Sequence, residues 1–142
     1  MRTETSFPVM YFEVDGMGIV HHSNYPLWFE KGRRDYLRKA GVSSSQIAGK
    51  GCFLPLSEIE CKFKSPAKYG DEIVVITKIV SMSCVKVKFE YQVYERRKGK
   101  LLAMGKTVHA WTNEKIEPIN MEKTAPKIYL RLKQFSESGN DR

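Results

Sequence analysis

Hydrophobic positions recur every three or four residues between positions 24 and 40, which is the spacing of an amphipathic α-helix. The apolar stripe consists of Tyr25, Trp28, Phe29, Gly32, Tyr36, Leu37 and Ala40. Asn24 is a suitable N-cap, Pro26 fits the first turn, and Gly41 is suited to end the helix. A glycine within a helix costs about 1 kcal/mol relative to alanine, so Gly32 predicts that this helix packs closely against a sheet.

Most of the remaining chain has the pattern of β-strands. Residues 7–14 alternate loosely and predict a first strand before the helix. The strands predicted after the helix are Phe53–Phe63, Glu72–Val80, Val85–Val93 and Leu101–Thr112. A turn at residues 97–100 links the last two. Residues 121–135 predict a short helix, and residues 136–142 predict a disordered tail.

One long helix and about five antiparallel strands predict an α+β fold, formed by a single domain at residues 1–135. A curved sheet wrapped around the helix would bury the apolar stripe. A single helix cannot cover all the surfaces and edges of such a sheet. We therefore expect a homodimer that joins two sheets edge to edge.

The composition is ordinary for a globular protein in water. Hydrophobic residues make up 42% and charged residues 28% of the 142 residues, and no apolar run approaches the length of a membrane span. The polar start of the chain does not resemble a secretory signal, which predicts a cytoplasmic location. The three cysteines show no C-x-x-C spacing and are predicted to be free, buried thiols.

The formal net charge of +8 is unevenly distributed. Residues 1–60 hold seven basic and seven acidic side chains, so the whole excess lies in residues 61–142. Such a bias suits nucleic acid, anionic lipid or a polyanionic small ligand, and it also suits a solvated surface without a partner. The basic residues do not form one helical face and no nucleic-acid-binding motif occurs, which makes nucleic acid unlikely.

The segment between Tyr11 and Tyr25 carries the candidate chemistry. Asp15 lies there on a glycine-flanked loop, His22 follows seven residues later, and the predicted helix begins just beyond. The first amides of a helix lack intrahelical acceptors and carry partial positive charge, so they can hold a developing oxyanion. Asp15 could then supply a general base or a nucleophile. Alternatively, it stabilises its loop as an Asx-turn residue.

This segment resembles the signature of the hotdog-fold acyl-CoA thioesterases of the 4-hydroxybenzoyl-CoA thioesterase type. That signature runs Asp-x-Asp-x-x-Gly-x-Val-x-[His/Tyr]-x-Asn/Ser-Tyr before a long helix. The matching positions are Asp15, Gly18, His22, Asn24 and Tyr25. Glu13 replaces the first Asp, and Gly16 replaces the common Ala or Pro. Residues Phe63–Asp71 match a second family segment, and the resemblance extends from about Val9 to Trp111.

The resemblance implies an acyl-CoA thioesterase with the hotdog fold, in which an antiparallel sheet of about five strands wraps one long helix. It implies catalysis by Asp15, as general base or nucleophile, with help from His22 and from backbone amides at positions 22–25. The implied substrate-binding residues are Gly18, Asn24, Tyr25, Phe53 and Leu54, the last two from a partner subunit. Family members form homodimers and often homotetramers. They need no metal, and no cofactor beyond the coenzyme A of the substrate.

The basic second half of the chain suits the phosphates of coenzyme A. Candidate phosphate ligands are Lys62, Lys64, Lys68, Arg96 and Arg97. For the basic run at residues 96–100, the alternative is a solvated hairpin turn. Tyr25 and Trp28 could line an acyl tunnel, although buried aromatic residues of a helix more often form core. His21 has no matching family role. His109 lies in the last predicted strand, where a packed or surface position is expected instead of a catalytic one.

Other functions stay open. A thioesterase for acyl-carrier proteins would use the same Asp motif, and the basic half would suit an acidic carrier. A hotdog dehydratase would need a different arrangement of His and acid. A non-catalytic protein that binds CoA esters, or a nucleic-acid binder, is supported by charge alone. The absence of Gly-x-Ser-x-Gly and of a phosphate-binding glycine loop argues against serine hydrolases and P-loop enzymes.

Overall fold

The computed structural model describes residues 1–139. Within them the strands are β1 Arg2–Pro8, β2 Leu56–Phe63, β3 Glu72–Met82, β4 Lys86–Glu95 and β5 Lys100–Ala110. The helices are α1 Tyr25–Lys39, α2 Ser44–Gly49, α3 Met121–Thr124 and α4 Pro126–Glu137. The strands form one antiparallel sheet in the order β1-β3-β4-β5-β2. This arrangement confirms the predicted α+β architecture.

Helix α1 packs its apolar stripe against the sheet. Trp28, Phe29 and Tyr36 are fully buried. The Phe29 ring stacks on Tyr91 of β4, with 4.5 Å between the ring centroids and 8° between the planes. Gly41 ends the helix with a φ of 79°, a left-handed conformation that glycine adopts without steric cost. The helix and its C-terminal stop are therefore as predicted.

Gly32 allows the backbone of α1 to approach the sheet. A Cβ atom at this position would collide with Thr77 Oγ1 and would lie 3.0 Å from Val75 Cγ1, both on β3. The sheet has a matching glycine on β5, where a Cβ atom on Gly105 would overlap the Phe29 ring. These two contacts confirm the predicted close packing of helix and sheet.

The predicted bounds of two strands are wrong by three residues or more, and those of the other three differ by at most two residues. The first strand is Arg2–Pro8 and not residues 7–14, because Tyr11–Glu13 forms a 3-10 turn in which the Glu13 N–H donates to Met10 O at 3.0 Å. The strand predicted from Phe53 begins at Leu56. Phe53 itself pairs with Thr112 in an isolated bridge beyond the end of β5.

Helices α3 and α4 occupy the region for which a short helix is predicted. Tyr129 and Leu132 of α4 are buried, and Phe135 meets Tyr36 edge-on with 5.1 Å between the ring centroids. Because α4 extends to Glu137, the first two residues of the predicted disordered tail are helical. Residues 140–142 of that tail lie outside the described residues. In the described part of the chain, no helix is long and apolar enough to cross a membrane.

We predict that Gly32→Ala lowers the free energy of unfolding by about 1–3 kcal/mol, because overpacking against Thr77 and Val75 outweighs the helix propensity gained. The control is Gly49→Ala at the end of α2, where an added Cβ would meet no atom within 4 Å. Urea unfolding of both variants measures the difference. Equal stabilities for the two variants would contradict the close approach.

Candidate active site

Asp15 lies in a tight hairpin at residues 14–20. Its N–H donates to Ile19 O at 2.8 Å, and its carbonyl oxygen accepts from the Gly18 N–H at 3.0 Å. Gly18 has a φ of 77°, a left-handed conformation that favours glycine at this position of the turn. The carboxylate oxygen Oδ1 accepts from the Met17 N–H at 2.8 Å, so the Asx-turn considered as an alternative does form. The described residues offer Oδ2 no hydrogen-bond partner, which leaves this oxygen available to a substrate.

A cavity of about 340 Å³ adjoins Asp15, between this hairpin, the start of α1 and the end of β2. Its lining residues are Asp15, Ile19, Val20, His21, His22, Tyr25, Phe63, Lys64, Ser65 and Pro66. The buried Tyr25 ring meets Phe63 edge-on, with 5.0 Å between the ring centroids. Burial raises the pKa of the Tyr25 hydroxyl to about 12, so this group is neutral at ordinary pH. The lining therefore suits an apolar group placed beside a carboxylate.

The backbone amides at the start of α1 differ in their availability. The Ser23 N–H donates to His21 Nδ1 at 3.2 Å, and the Asn24 N–H donates to His21 O at 3.1 Å. The Tyr25 N–H donates to His22 O. By contrast, the amide of His22 has no acceptor among residues 1–139. Of the predicted carbonyl polarisers, the His22 N–H is thus the one that can receive a substrate oxygen.

The two neighbouring histidines have different surroundings. Their rings lie 4.2 Å apart between centroids with an angle of 31° between the planes. His21 Nδ1 contacts Ser23 Oγ at 2.8 Å, which fixes its ring, whereas the His22 ring forms no hydrogen bond within the described chain. Across residues 1–139, no group of three or more His, Cys, Asp or Glu side chains could hold a metal ion. His22 is therefore the more available of the two for a substrate or water.

A second cavity of about 470 Å³ shares the lining residue Pro66 with the first. Basic side chains outnumber acidic ones in its lining, and the acidic residues are Asp71, Glu72 and Glu95. Its basic lining residues are Lys68, Arg96, Arg97, Lys98 and Lys100. Arg96 is engaged in ion pairs with Glu72 and, at 3.4 Å, with Glu4. Lys62 lies 3.6 Å from Glu60 and lines neither cavity. The predicted phosphate candidates are thus divided between two cavities and the surface.

Comparison with known proteins identifies the family of this chain. Residues 10–132 match the thioesterase-like superfamily. The chain belongs to this superfamily. YneP of Bacillus subtilis, assigned as an acyl-CoA thioesterase, is 34% identical over 119 residues, which are 83% of this chain and 86% of YneP. The acyl-acyl carrier protein thioesterase ATL3 of Arabidopsis thaliana is 26% identical over 118 residues, which are 83% of this chain and 62% of ATL3.

Solved structures agree with this family. The hypothetical protein TT1821 of Thermus thermophilus is 33% identical with a TM-score of 0.87, and the match covers 97% of this chain and 100% of TT1821. The DHNA-CoA thioesterase of Staphylococcus aureus is 25% identical with a TM-score of 0.89, and the match covers 94% and 89% of the two chains. These similarities confirm the hotdog fold, the family resemblance and the prediction of a thioester hydrolase.

The other predicted substrate-binding residues do not line the cavity beside Asp15 in a single chain. Gly18 shapes the hairpin, and the Asn24 side chain donates to Glu13 O at 3.1 Å instead of capping α1. Phe53 and Leu54 line a separate cavity of about 190 Å³ between α1 and α2. The Phe53 N–H is bound to Thr112 O, whereas the Leu54 N–H has no acceptor in the described part of the chain.

Sequence reasoning missed several residues of the cavity. Phe63, Ser65 and Pro66 belong to the second family segment, which was matched as a pattern without a role for these side chains. They reach the cavity because Val20 N–H donates to Ala67 O at 2.9 Å, which joins that segment to the Asp15 hairpin. The segment match was the signal that could have found them. Trp28 is fully buried and does not line the cavity, so it belongs to the core.

A buried hydrogen-bond chain ends at the Leu54 carbonyl. Arg33 donates to the Tyr91 hydroxyl at 3.0 Å, and Tyr91 lies 2.6 Å from Thr107 Oγ1. Thr107 Oγ1 lies 2.9 Å from His109 Nε2, and His109 Nδ1 lies 3.0 Å from Leu54 O. A carbonyl only accepts, so neutral His109 carries its proton on Nδ1 and accepts at Nε2. His109 is thus packed and structural, as predicted.

We predict that this chain makes stability depend on pH. Burial, aided by the charge of Arg33, lowers the pKa of His109 from 6.5 to about 4. Between these values the unfolded chain binds the proton and the folded chain does not. The contribution of His109 is therefore complete above about pH 6.5 and is lost as the pH falls towards 4, to an extent on the order of 3 kcal/mol.

Urea unfolding of the wild type and of His109→Gln at pH 7.5, 6, 5 and 4.5 tests this prediction. The glutamine can still donate to Leu54 O but does not titrate. The stability difference between the two proteins should shrink as the pH falls. Parallel stability curves would show that His109 is not the titrating group.

Proposed function

We propose that the protein hydrolyses acyl-CoA thioesters to a carboxylic acid and coenzyme A, with Asp15 as the catalytic carboxylate. One observation carries the proposal: the free Oδ2 of Asp15 and the free amide of His22 belong to residues that line the same largely apolar cavity. The cavity would receive the acyl group, and the amide would polarise the thioester carbonyl. The thioesterase family of the chain supports this assignment.

Asp15 can act in either of two ways. As a general base, it takes a proton from water while the water oxygen bonds to the carbonyl carbon. The C–S bond then breaks, and the departing thiolate takes the proton back. As a nucleophile, Oδ2 bonds to the carbonyl carbon and expels the thiolate, and water hydrolyses the resulting anhydride. In both cases the carbonyl oxygen becomes negative beside the His22 N–H, and Asp15 is regenerated.

The second cavity would hold the phosphates of coenzyme A. Pro66 lines both this cavity and the acyl cavity, so a single ligand could extend from one cavity into the other. Arg97, Lys98 and Lys100 form no ion pair with a carboxylate among the described residues. The Glu95 carboxylate accepts from the backbone N–H groups of Arg97 and Lys98, which fixes the turn without a hydrogen bond from either side chain. Lys68 reaches the same cavity from the other side.

We further propose that a second copy of the chain completes the site. Strand β2 is an edge strand that, within residues 1–139, pairs only with β5. Its apolar side chains Leu56, Ile59 and Phe63 are 49%, 44% and 53% exposed. Edge strands of this kind favour pairing with another chain. Phe63 also lines the acyl cavity, so pairing at β2 would cover that cavity. The Leu54 N–H, which has no acceptor within the described residues, could then donate to the carbonyl oxygen of a thioester bound in the acyl cavity of the partner subunit.

An acyl-carrier-protein substrate is the second candidate. The similarity to ATL3, an acyl-acyl carrier protein thioesterase, favours it, and the basic second cavity would also suit an acidic carrier protein. Comparison of kcat/KM for one acyl group on coenzyme A and on a carrier protein distinguishes the two. A cytoplasmic location stays a prediction.

We predict that Asp15→Asn lowers kcat for acyl-CoA hydrolysis at least about 10²-fold, because the amide is neither base nor nucleophile. The variant keeps the acceptor for the Met17 N–H, so the hairpin should persist. Thiol release from short, long and aromatic acyl-CoAs provides the measurement. The exposed α3 variant Glu122→Gln serves as the charge-matched control and should retain full activity. Undiminished turnover by folded Asp15→Asn would exclude the proposed role.

We predict that the double variant Arg97→Ala/Lys98→Ala raises KM for acyl-CoA about tenfold with little change in kcat, because two phosphate ligands are lost while the turn persists. The matched substrate is the N-acetylcysteamine thioester of the same acid, which has no phosphates. Its KM should be the same for the variant and the wild type. A parallel rise with both substrates would point to a distorted site instead of phosphate binding.

A further inference from the structure

Glu13 is a buried carboxylate in which both oxygens accept hydrogen bonds. The residue as a whole is only 6% exposed. Oε1 accepts from the Met10 N–H at 2.8 Å, and Oε2 accepts from Trp28 Nε1 at 2.9 Å. Trp28 belongs to α1 and is fully buried. The carboxylate therefore ties the chain before the Asp15 hairpin to the long helix.

The main chain of Glu13 ties the other end of the hairpin. Its carbonyl oxygen accepts from the His21 N–H at 2.9 Å and from the Asn24 side chain at 3.1 Å. The hairpin at residues 14–20 thus leaves from Glu13 and returns to it. Asp15 stands two residues from this point on one side, and His22 stands one residue beyond the returning end.

We infer that Glu13 is a positioning residue, which sets the location of the Asp15 carboxylate relative to the His22 amide by fixing the base of the hairpin to α1. The inference rests on the proposed function, because it assigns Glu13 a part in the same reaction. Asp15 itself is exposed, and within the described chain its side chain has one hydrogen bond, from the Met17 N–H of its own turn. The rigid support of the hairpin must therefore come from its base and from its link to Ala67.

The convergence of two donors explains why a carboxylate suits this position. Glutamine has one acceptor oxygen, and its NH₂ group would face either the Met10 N–H or the indole N–H of Trp28. That N–H would then lack an acceptor, and it would point at the glutamine NH₂, which is also a donor. Glu13→Gln should consequently loosen the hairpin base without changing the size of the side chain.

The test compares Glu13→Gln, Trp28→Phe and the double variant, each with and without Asp15→Asn. We expect Glu13→Gln to lower kcat at least about tenfold with KM nearly unchanged, because small misplacement of a catalytic group costs rate. The double variant should recover part of this loss, since removal of the indole N–H ends the opposition of donors. In the Asp15→Asn background, Glu13→Gln should lower the residual rate less than about twofold, because it acts through Asp15.

A readout that needs no turnover is amide hydrogen exchange at His21, whose N–H is bound to Glu13 O. Exchange at this amide should speed up in Glu13→Gln, while amides of β4 stay protected. Leu132→Ala, which removes a buried side chain from α4, controls for lost stability and should keep kcat while it is folded.

Three outcomes overturn the inference: an unchanged kcat in folded Glu13→Gln, an equal fractional loss with and without Asp15, or unchanged exchange at His21. A wild type that releases no thiol from any thioester would instead overturn the proposed function. In that case the exchange result still decides whether Glu13 fixes the hairpin. The two failures are therefore distinguishable.

Discussion

The close packing of α1 on the sheet depends on two glycines. Gly32 lets the α1 backbone approach Thr77 and Val75 of β3, and Gly105 lets the Phe29 ring of α1 approach the β5 backbone. The position of the helix follows from these two contacts. The Phe29 ring fills the space above Gly105 and stacks on Tyr91, so the helix can neither lift nor rotate without losing that contact. Close packing of this kind permits few arrangements. Because α1 is fixed, its first residue Tyr25 is fixed too, and the 3-10 turn His22–Asn24 leads directly into it. His22 and Tyr25 both line the cavity beside Asp15.

The pattern of apolar and polar residues correctly predicted the elements that bury one face along their whole length. Helix α1 and strand β4 each bury one face, so their periods of about four and two residues are clear in the sequence. The first strand was misplaced because two of the three inward positions of β1, Thr3 and Thr5, are threonines, so its alternating burial gives no alternation of apolar residues. Residues 7–14 alternate loosely and were predicted as a strand, but Glu13 accepts from the Met10 N–H and folds residues 11–13 into a turn.

The candidate site was predictable where its residues are close in sequence. Asp15 and His22 belong to one short motif, and the motif lies at a helix start that periodicity also finds. Phe63 and Pro66 reach the cavity through pairing between segments about fifty residues apart, which no local pattern specifies. Likewise, the engagement of Arg96 with Glu72 depends on the register of β3 against β4. Charge alone could not separate that arginine from its free neighbours.

The chain of hydrogen bonds from Arg33 to Leu54 has a fixed polarity. It begins at a guanidinium, which can only donate, and ends at a carbonyl, which can only accept. The hydroxyls of Tyr91 and Thr107 and the tautomer of His109 therefore have one orientation each. Transport of a proton along this chain would require every bond in it to reverse, and neither end can do so. The chain consequently holds the Leu54 carbonyl in one orientation and does not conduct protons.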